Sequence, residues 1–323
     1  MKKFCAKLAL FAAGFVSASM VFAQSYPAKP ILMIVPLQAG TAVDNVARAL
    51  SQKLSEGLGR AVVVENQPGA AGQIGTERIA KSAPDGYTIG FVNDSILTML
   101  PNFNPKLPYD PLKDLAPVSR VAGNSFAIAV QTGYAAKNLN ELIAMAKARP
   151  GEINFSSGGG GSPQHMAMEI FSAAAGVKLT HVPYKGAAQA LTDLVGGQVQ
   201  VFAQGMGVMS AQARGGKIRL LATTGASRSP LTPDVPTVRE SGLAGFEFAT
   251  WFAIVAPAGT PKDIVDRLNT EIVKAANLPE VRDQLIKQGY DVYASSPEQL
   301  TDAIRDGLAR MGKIIRDANI KTE

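Results

Sequence analysis

Residues 31–65 have the sequence ILMIVPLQAGTAVDNVARALSQKLSEGLGRAVVVE, whose pattern predicts the fold class. The apolar run 31–36 predicts a buried strand, and a polar turn containing Gly40 follows it. Val46, Leu50 and Leu54 recur every four residues and predict an amphipathic helix. Residues 61–65 then predict a second strand. A strand, a helix and a second strand in this order form the unit from which α/β sheets are built.

The same alternation continues over most of the chain and predicts α/β domains with mainly parallel sheets. It is interrupted near residues 120 and 245. We therefore predict one discontinuous domain, made of residues 24–124 and 246–323, and a second domain, residues 125–245, inserted into it. Two consecutive domains are the alternative that the pattern leaves open. Sheets of this kind bind ligands at the carboxyl ends of their strands.

The first residues have the pattern of a secretory signal peptide. Lys2 and Lys3 precede an apolar run that ends at Ala23 and is short for a membrane span. We predict that residues 1–23 are a cleaved signal peptide and that the mature protein is periplasmic; an uncleaved anchor is the alternative. The single cysteine, Cys5, lies in this segment, so the predicted mature chain contains no thiol nucleophile.

The charge of the chain excludes one class of partner. Removal of Lys2, Lys3 and Lys7 leaves 29 basic and 26 acidic residues, so the net charge falls from +6 to +3. A charge this small, without a cluster of Lys or Arg, does not predict binding to nucleic acid. It mildly favours anionic small molecules.

A run of four glycines, residues 158–161, resembles a phosphate-binding loop. Ser162 and Pro163 follow it, so the Lys-Ser/Thr pair of a nucleotide P-loop is missing. Backbone N–H groups at the start of a helix also bind carboxylates. The run therefore predicts an anion site, and a merely flexible turn is the alternative.

The chain is poor in catalytic and metal-binding groups. It has two histidines, His165 and His181, whereas zinc sites use three or four ligands. We interpret His165 and Glu169, four residues apart, as an ordinary pair on a helix surface. No Gly-x-Ser-x-Gly motif is present. We predict a binding protein without metal, cofactor or enzymatic activity.

Seven segments, in order along the chain, resemble the Bug family, the periplasmic receptors of tripartite tricarboxylate transporters. They are YPAKPI (26–31), VVENQPGAAG (63–72), PDGY (84–87), LPYDPLKD (107–114), HVPYKG (181–186), GGQV (196–199) and PDVPTV (233–238). The resemblance implies a type II periplasmic-binding-protein fold, with two α/β domains and a ligand cleft between them. It also implies a monomeric receptor that captures an aliphatic di- or tricarboxylate or an aromatic carboxylate. The receptor would deliver this ligand to a membrane permease of two subunits.

The resemblance also implies which residues bind the ligand. The family uses the loop after the first strand and two loops of the inserted domain, which correspond here to Gln38, Gly40, Thr41, Ser156, Ser157, Gly160, Ser162 and Gln204. By position, Asn93, Ser95 and Tyr184 are expected near the cleft. Lys185 either contacts the ligand or forms a structural ion pair. We expect Trp251 at the rim of the cleft, with packing in the hinge as the alternative.

The sequence departs from the family pattern at two places. The first loop often has Pro-Gly-Gly-x-x-Asp in the family, whereas residues 39–44 are AGTAVD here. Gln204 replaces an Asp that could answer the ammonium group of a ligand. Since Gln can donate as well as accept, we hypothesise a carboxylate ligand without an amino group. An exported hydrolase or lyase and a ligand-sensing subunit remain the alternative functions.

Overall fold

The computed structural model describes residues 26–317, so the predicted signal peptide lies outside the described residues. Ten strands are present in this part of the chain: β1 Ile31–Val35, β2 Val62–Asn66, β3 Thr88–Asn93, β4 Leu115–Gln131, β5 Asn154–Ser157, β6 Thr180–Pro183, β7 Val201–Gly205, β8 Ile218–Thr223, β9 Ala249–Pro257 and β10 Asp291–Val292. None of the helices between residues 26 and 317 is long and apolar enough to cross a membrane.

The helices alternate with these strands. The α-helices are α1 Ala42–Leu58, α2 Gln73–Ala80, α3 Leu100–Phe103, α4 Leu139–Ala148, α5 Pro163–Ala175, α6 Ala187–Val195, α7 Met206–Arg214, α8 Lys262–Asn277, α9 Pro279–Lys287 and α10 Pro297–Asp317. A 3₁₀ turn, Ala70–Gly72, precedes α2, and a π-helix, Ser95–Met99, precedes α3.

The first sheet has the strand order β2-β1-β3-β9-β4, and β10 adds a short antiparallel pairing to β4. β1 is parallel to β2 and β3, whereas β9 is antiparallel to β3. Side chains alternate between the two faces of a strand. Ile31, Met33 and Val35 of β1 accordingly pack into the core that contains α1, α8 and α9. Ile34 packs into the core on the opposite face, with α2, the π-helix and α10.

The second sheet is built on the same plan. β5 is parallel to β6 and β7, while β4 is antiparallel to β7 and β8. Phe126, Ile128 and Val130 of β4 pack against α4 and α5. Ala127 and Ala129, on the other face, pack against α6 and α7. Helices thus cover both faces of both sheets, and the predicted two-domain α/β fold is confirmed.

β4 belongs to both sheets. From Leu115 to Ser125 it pairs with β9, and from Phe126 to Val130 it pairs with β7. The change of partner occurs between Ser125 and Phe126, one residue after the predicted boundary between residues 124 and 125. The division into domains at residues 124 and 245 itself stays a prediction.

Two details of the predicted elements are wrong. Residues 126–131 predict a strand that begins at Phe126, but β4 begins eleven residues earlier, because Leu115–Ser125 also pairs with β9. Pro101 predicts the end of the short helix after β3, but it lies in the first turn of α3, where proline costs no hydrogen bond. Thr41 and Asp44 are the two candidate caps of α1 in the sequence, and Thr41 caps it.

Candidate functional site

The loop after β1 is held at the start of α1 by its own polar groups. The Thr41 hydroxyl donates to the carbonyl oxygen of Gln38 at 2.9 Å and accepts from the amide of Asp44. The Gly40 amide donates to the Asp44 carboxylate at 2.9 Å. Predicted site residues Gln38, Gly40 and Thr41 therefore form one turn. The first amides of a helix have no partner within the helix, so this end of α1 attracts anions.

The buried carboxylate of Asp44 holds that turn in place through hydrogen bonds. Its side chain is buried, and it also accepts hydrogen bonds from Arg48 at 3.0 Å and from Asn66 at 2.9 Å. Burial alone would raise the pKa of Asp44. The hydrogen bonds from Arg48, Gly40 and Asn66 outweigh burial and hold the pKa below its usual range. The carboxylate is therefore ionised at neutral pH, and its hydrogen bonds hold the loop.

Asn93 and Ser95 lie together at the carboxyl end of β3, and both are buried. The Ser95 hydroxyl donates to the side-chain oxygen of Asn93 at 3.0 Å. Asp94, between them, was not among the predicted site residues. Burial raises its pKa to about 7, although amides of Ser95 and Trp251 partly oppose this, and its Oδ1 has no hydrogen-bond partner among the described residues.

The glycine run forms a loop between β5 and α5 that begins at Ser157 and ends at Ser162. Ser162 caps α5 by accepting a hydrogen bond from the amide of His165. The Gly159 amide donates to the Ser157 hydroxyl at 3.0 Å. Gly159 and Gly161 have φ values of 118° and 73°, which favour glycine. Gly160 is exposed, and its amide has no hydrogen-bond partner within residues 26–317, so it is available to an anion at the start of a helix.

The two histidines stack behind this loop. The rings of His165 and His181 are 4.0 Å apart and nearly parallel, and Phe155 stacks on His181 at 4.9 Å. Nδ1 of His165 accepts from the Gly161 amide at 3.1 Å, and Nε2 of His181 lies 2.6 Å from the Ser157 hydroxyl. Burial and the facing His165 lower the pKa of His181 to about 4.

The expectation of an ordinary surface pair at His165 and Glu169 is therefore wrong. The His165 side chain is only 3% exposed, and its Nε2 is 3.6 Å from the Glu169 carboxylate. Glu169 is partly exposed, whereas His165 turns its ring inward and stacks on His181 of strand β6. Within the described residues, no group of three or more His, Cys, Asp or Glu side chains is arranged to hold a metal ion.

Gln204 lies in β7 with its side-chain orientation fixed. Its Oε1 accepts from the amide of Gly205 at 2.8 Å and from Nε2 of Gln164 at 3.2 Å. A backbone amide is always a donor, so the atom facing it must be the oxygen. Nε2 of Gln204 is the end without a hydrogen bond among residues 26–317. Gln164, at the second position of α5, was missed because nothing in the sequence links it to residue 204.

Tyr184 and Gly186 follow β6 on the same side of the second sheet. The Tyr184 amide donates to the carbonyl oxygen of Ser157, and its hydroxyl donates to Asp193 at 2.6 Å. Burial and Asp193 raise the pKa of Tyr184 to about 12. A β-carbon placed on Gly186 would lie 3.9 Å from Oε1 of Gln38, so loops of the two sheets face each other here.

The predicted residues thus form two groups. One lies at the carboxyl ends of β1 and β3 and contains Gln38, Gly40, Thr41, Asn93 and Ser95. The other lies at the carboxyl ends of β5, β6 and β7 and contains Ser157, Gly160, Ser162, Tyr184 and Gln204. Carboxyl ends of parallel strands are where ligands bind in such sheets.

Ser156, Trp251 and Lys185 are the three remaining residues that were considered for the site. Ser156 is fully buried, and its hydroxyl bonds to the carbonyl oxygen of Ala190. Trp251 lies opposite Gly123 in the paired strands β9 and β4 and packs partly buried against a core of the first sheet. Lys185 is exposed, and no carboxylate of the described residues lies within 4.0 Å of it, so the expected structural ion pair is absent there.

Comparisons with known proteins identify the family of the chain. The chain matches the tripartite tricarboxylate transporter family receptor (TctC) over residues 46–320. Protein BugT of Bordetella pertussis is 37% identical over 322 residues, which are 99% of each chain.

Two solved structures cover nearly the whole chain. A protein of R. palustris solved with adipate is 31% identical with a TM-score of 0.86, covering 92% of this chain and all of that one. MatC of Rhodopseudomonas palustris, with bound malate, is 29% identical with a TM-score of 0.83, covering 90% of this chain and all of that one. The chain belongs to the tripartite tricarboxylate transporter receptor family, the Bug proteins, and has the two-domain fold of periplasmic binding proteins.

Proposed function

We propose that this protein is a periplasmic receptor for a small organic dicarboxylate without an amino group, and that it delivers the ligand to a two-subunit membrane permease. In this proposal residues 1–23 direct export and are removed, and the receptor acts as a monomer. Gln38, Gly40, Thr41, Asn93 and Ser95 contact the ligand from one side. Gly160, Ser162, Tyr184 and Gln204 contact it from the other, and Ser157, which is fully buried, holds the loop behind them.

The orientation of Gln204 carries the proposal. Because Oε1 already accepts two hydrogen bonds, the group left for a ligand is the NH₂. An NH₂ group donates to a carboxylate oxygen, but it cannot accept a hydrogen bond from an ammonium group. The position therefore favours an acid over the corresponding amino acid.

The helix start beside it supports the same ligand class. The exposed Gly160 amide and the first turn of α5 present N–H groups and the positive end of a helix. Hydrogen bonds to a charged group are worth about 1.5–3 kcal/mol each. Four or five of them sum to about 6–15 kcal/mol, a range that includes the ~8 kcal/mol that micromolar affinity requires, before ordering costs are subtracted. The adipate and malate in the two related structures are both dicarboxylates.

A hydrolase is the second candidate, because Ser157 and His181 are 2.6 Å apart, as a nucleophile and its base would be. Three observations weigh against it. Ser157 is fully buried, and a histidine whose pKa is lowered to about 4 is a weak base. The carboxylate of this cluster, Glu169, lies beside His165 rather than behind His181.

Paired ligands test the proposal. Residues 24–323 would be mixed with adipate or 2-aminoadipate, and with malate or aspartate, and the melting temperature and heat of binding measured. Ligand at 100 times its Kd adds about 2.7 kcal/mol, which raises the melting temperature of a chain of about 300 residues by roughly 4 °C. We expect a shift with an acid and none with its amino partner. Equal binding of both members of a pair would refute the ligand class, and a new product in the mass spectrum would favour the enzyme.

A further inference from the structure

We propose that His165 and His181 are positioning residues for ligand binding: as a neutral, stacked pair they fix the loop Ser157–Ser162, and protonation of the pair releases it. This inference rests on the proposed function, because it assigns that loop to the ligand. It goes further by adding two residues behind the site and a dependence of affinity on pH.

The protonation state of His165 follows from its contact with the loop. Nδ1 accepts a hydrogen bond from the Gly161 amide at 3.1 Å, so this nitrogen carries a lone pair and no proton. The proton of the neutral ring is therefore on Nε2, which points toward the Glu169 carboxylate 3.6 Å away. A second proton, on Nδ1, would place an N–H of His165 opposite the amide N–H of Gly161 and break the hydrogen bond between them.

His181 holds the other end of the same loop. Its Nε2 lies 2.6 Å from the hydroxyl of Ser157, and that hydroxyl accepts the hydrogen bond from the Gly159 amide. Ser157 is fully buried, so water cannot replace the imidazole. The two histidines thus fix the loop at Ser157 and at Gly161, and Gly160, with its free amide, lies between these points.

The stacking makes the two rings respond together. With centroids 4.0 Å apart, a charge on one ring opposes a charge on the other. Burial and the facing ring lower the pKa of His181, whereas Glu169 acts in the opposite direction. Glu169 on α5 is the charged side chain that faces the pair, and β5 contributes Phe155 and Ser157, which carry no charge. His181 therefore stays neutral at pH 7 and takes up a proton only in acid.

The first test needs no ligand. These are the only two histidines in the chain, so ¹⁵N-labelled imidazole signals can be assigned with one substitution each. We expect His165 with its proton on Nε2 at pH 7, and His181 titrating well below an ordinary histidine. A proton on Nδ1 of His165, or a charged ring at pH 7, would overturn the proposal whether or not a carboxylate binds.

The second test separates positioning from packing. His165→Asn keeps an acceptor near the Nδ1 position, while His165→Phe keeps the flat ring and removes the acceptor. We expect His165→Phe to weaken adipate binding about tenfold or more, and His165→Asn to bind within about threefold of the unaltered protein. The number of protons taken up when adipate dissociates near pH 5 should be smaller in His165→Asn than in the unaltered protein. Adipate itself titrates in this range, but its contribution is the same for both proteins and cancels in the comparison.

Amide hydrogen exchange at Gly161 covers the case in which adipate does not bind. Exchange there should be about tenfold faster in His165→Phe than in the unaltered protein, and nearly unchanged in His165→Asn. Unchanged exchange and unchanged adipate affinity in a folded His165→Phe protein would show that the ring only packs. If exchange changes but adipate does not bind the unaltered protein, the ligand class fails and the positioning role stands.

Discussion

The hydroxyl of Thr250 donates a hydrogen bond of 2.8 Å to the side-chain oxygen of Asn124, and both residues are buried where β9 and β4 pass between the two sheets. A β-carbon on Gly205 would lie only 2.4 Å from Nδ2 of Asn124, so the Asn124 amide also packs tightly against the end of β7. The pair thus links the crossing strands to the strand that carries Gln204.

Thr250→Val should destabilise the protein by about 1–3 kcal/mol, because it leaves the buried oxygen of Asn124 without a donor. Urea unfolding measures the change. Thr270→Val is the matched control, since Thr270 is exposed on α8 and its hydroxyl bonds only to the preceding turn. A loss in the Thr250 variant no larger than in the control would show that the pair contributes nothing.

Ser162→Ala should lower both stability and ligand affinity. Loss of a helix cap costs about 1 kcal/mol, and Ser162 also lies in the proposed site. Asn138→Ala is the control, because Asn138 caps α4 through a 2.9 Å bond from the Glu141 amide and lies outside the site. We expect similar unfolding curves but weaker calorimetric binding only in the Ser162 variant. Weakening of similar size in both variants would argue against a role of Ser162 in the site.

Gln204→Glu should reverse the selectivity of the site. The oxygen that accepts from Gly205 and Gln164 is retained, but the free NH₂ becomes a carboxylate oxygen. Repulsion should weaken adipate binding by about a hundredfold, or ~2.7 kcal/mol, while 2-aminoadipate loses less or gains. Calorimetry with both ligands gives the ratio. An unchanged ratio would place Gln204 outside the binding site.

Asp94→Asn should stabilise the protein more at pH 8 than at pH 5. Burial raises the pKa of Asp94 from 3.8 to about 7. The folded state therefore holds an extra proton between these values, and the stability it confers is lost as pH rises toward 7. The side-chain amide of Asn does not titrate, so the variant avoids this loss of stability. The loss is about 1.4 kcal/mol for each tenfold change in proton affinity.

Urea unfolding of both proteins at the two pH values measures the effect of Asp94. The opposite pH dependence expected from His181, whose lowered pKa costs stability as pH falls from 6.5 toward 4, is common to both proteins and cancels in the difference. If the two proteins differ in unfolding free energy by the same amount at pH 5 and at pH 8, Asp94 is ionised at both pH values.

The sequence predicted those elements whose signal is local. The apolar spacing of Val46, Leu50 and Leu54 was sufficient for α1, and all three are buried. The first half of β4 was missed because Pro117, Ser119 and Arg120 interrupt any apolar pattern, and its pairing with β9 is irregular at these positions. Such pairing depends on a strand more than a hundred residues away in the chain.

Among the site residues too, some contacts follow from local sequence and others depend on distant strands. Ser156 and Ser157 are adjacent in a strand, so their side chains point to opposite faces. One hydroxyl meets the Ala190 carbonyl and the other meets His181. The sequence alone contained this alternation, and it already implied that both serines could not face one ligand. The stacking of His165 on His181 had no such signal, because it depends on the parallel pairing of β5 and β6.

The passage of β4 through both sheets has a consequence for protein engineering. A gene fragment that stops after residue 124, or starts at residue 125, would cut a single strand in two and expose unpaired backbone on β7, β8 and β9. Open edges of this kind recruit other chains and lead to aggregation. Swapping the middle of this protein into a relative as a cassette therefore requires cuts outside the strand, so that residues 115–131 are inherited as one piece.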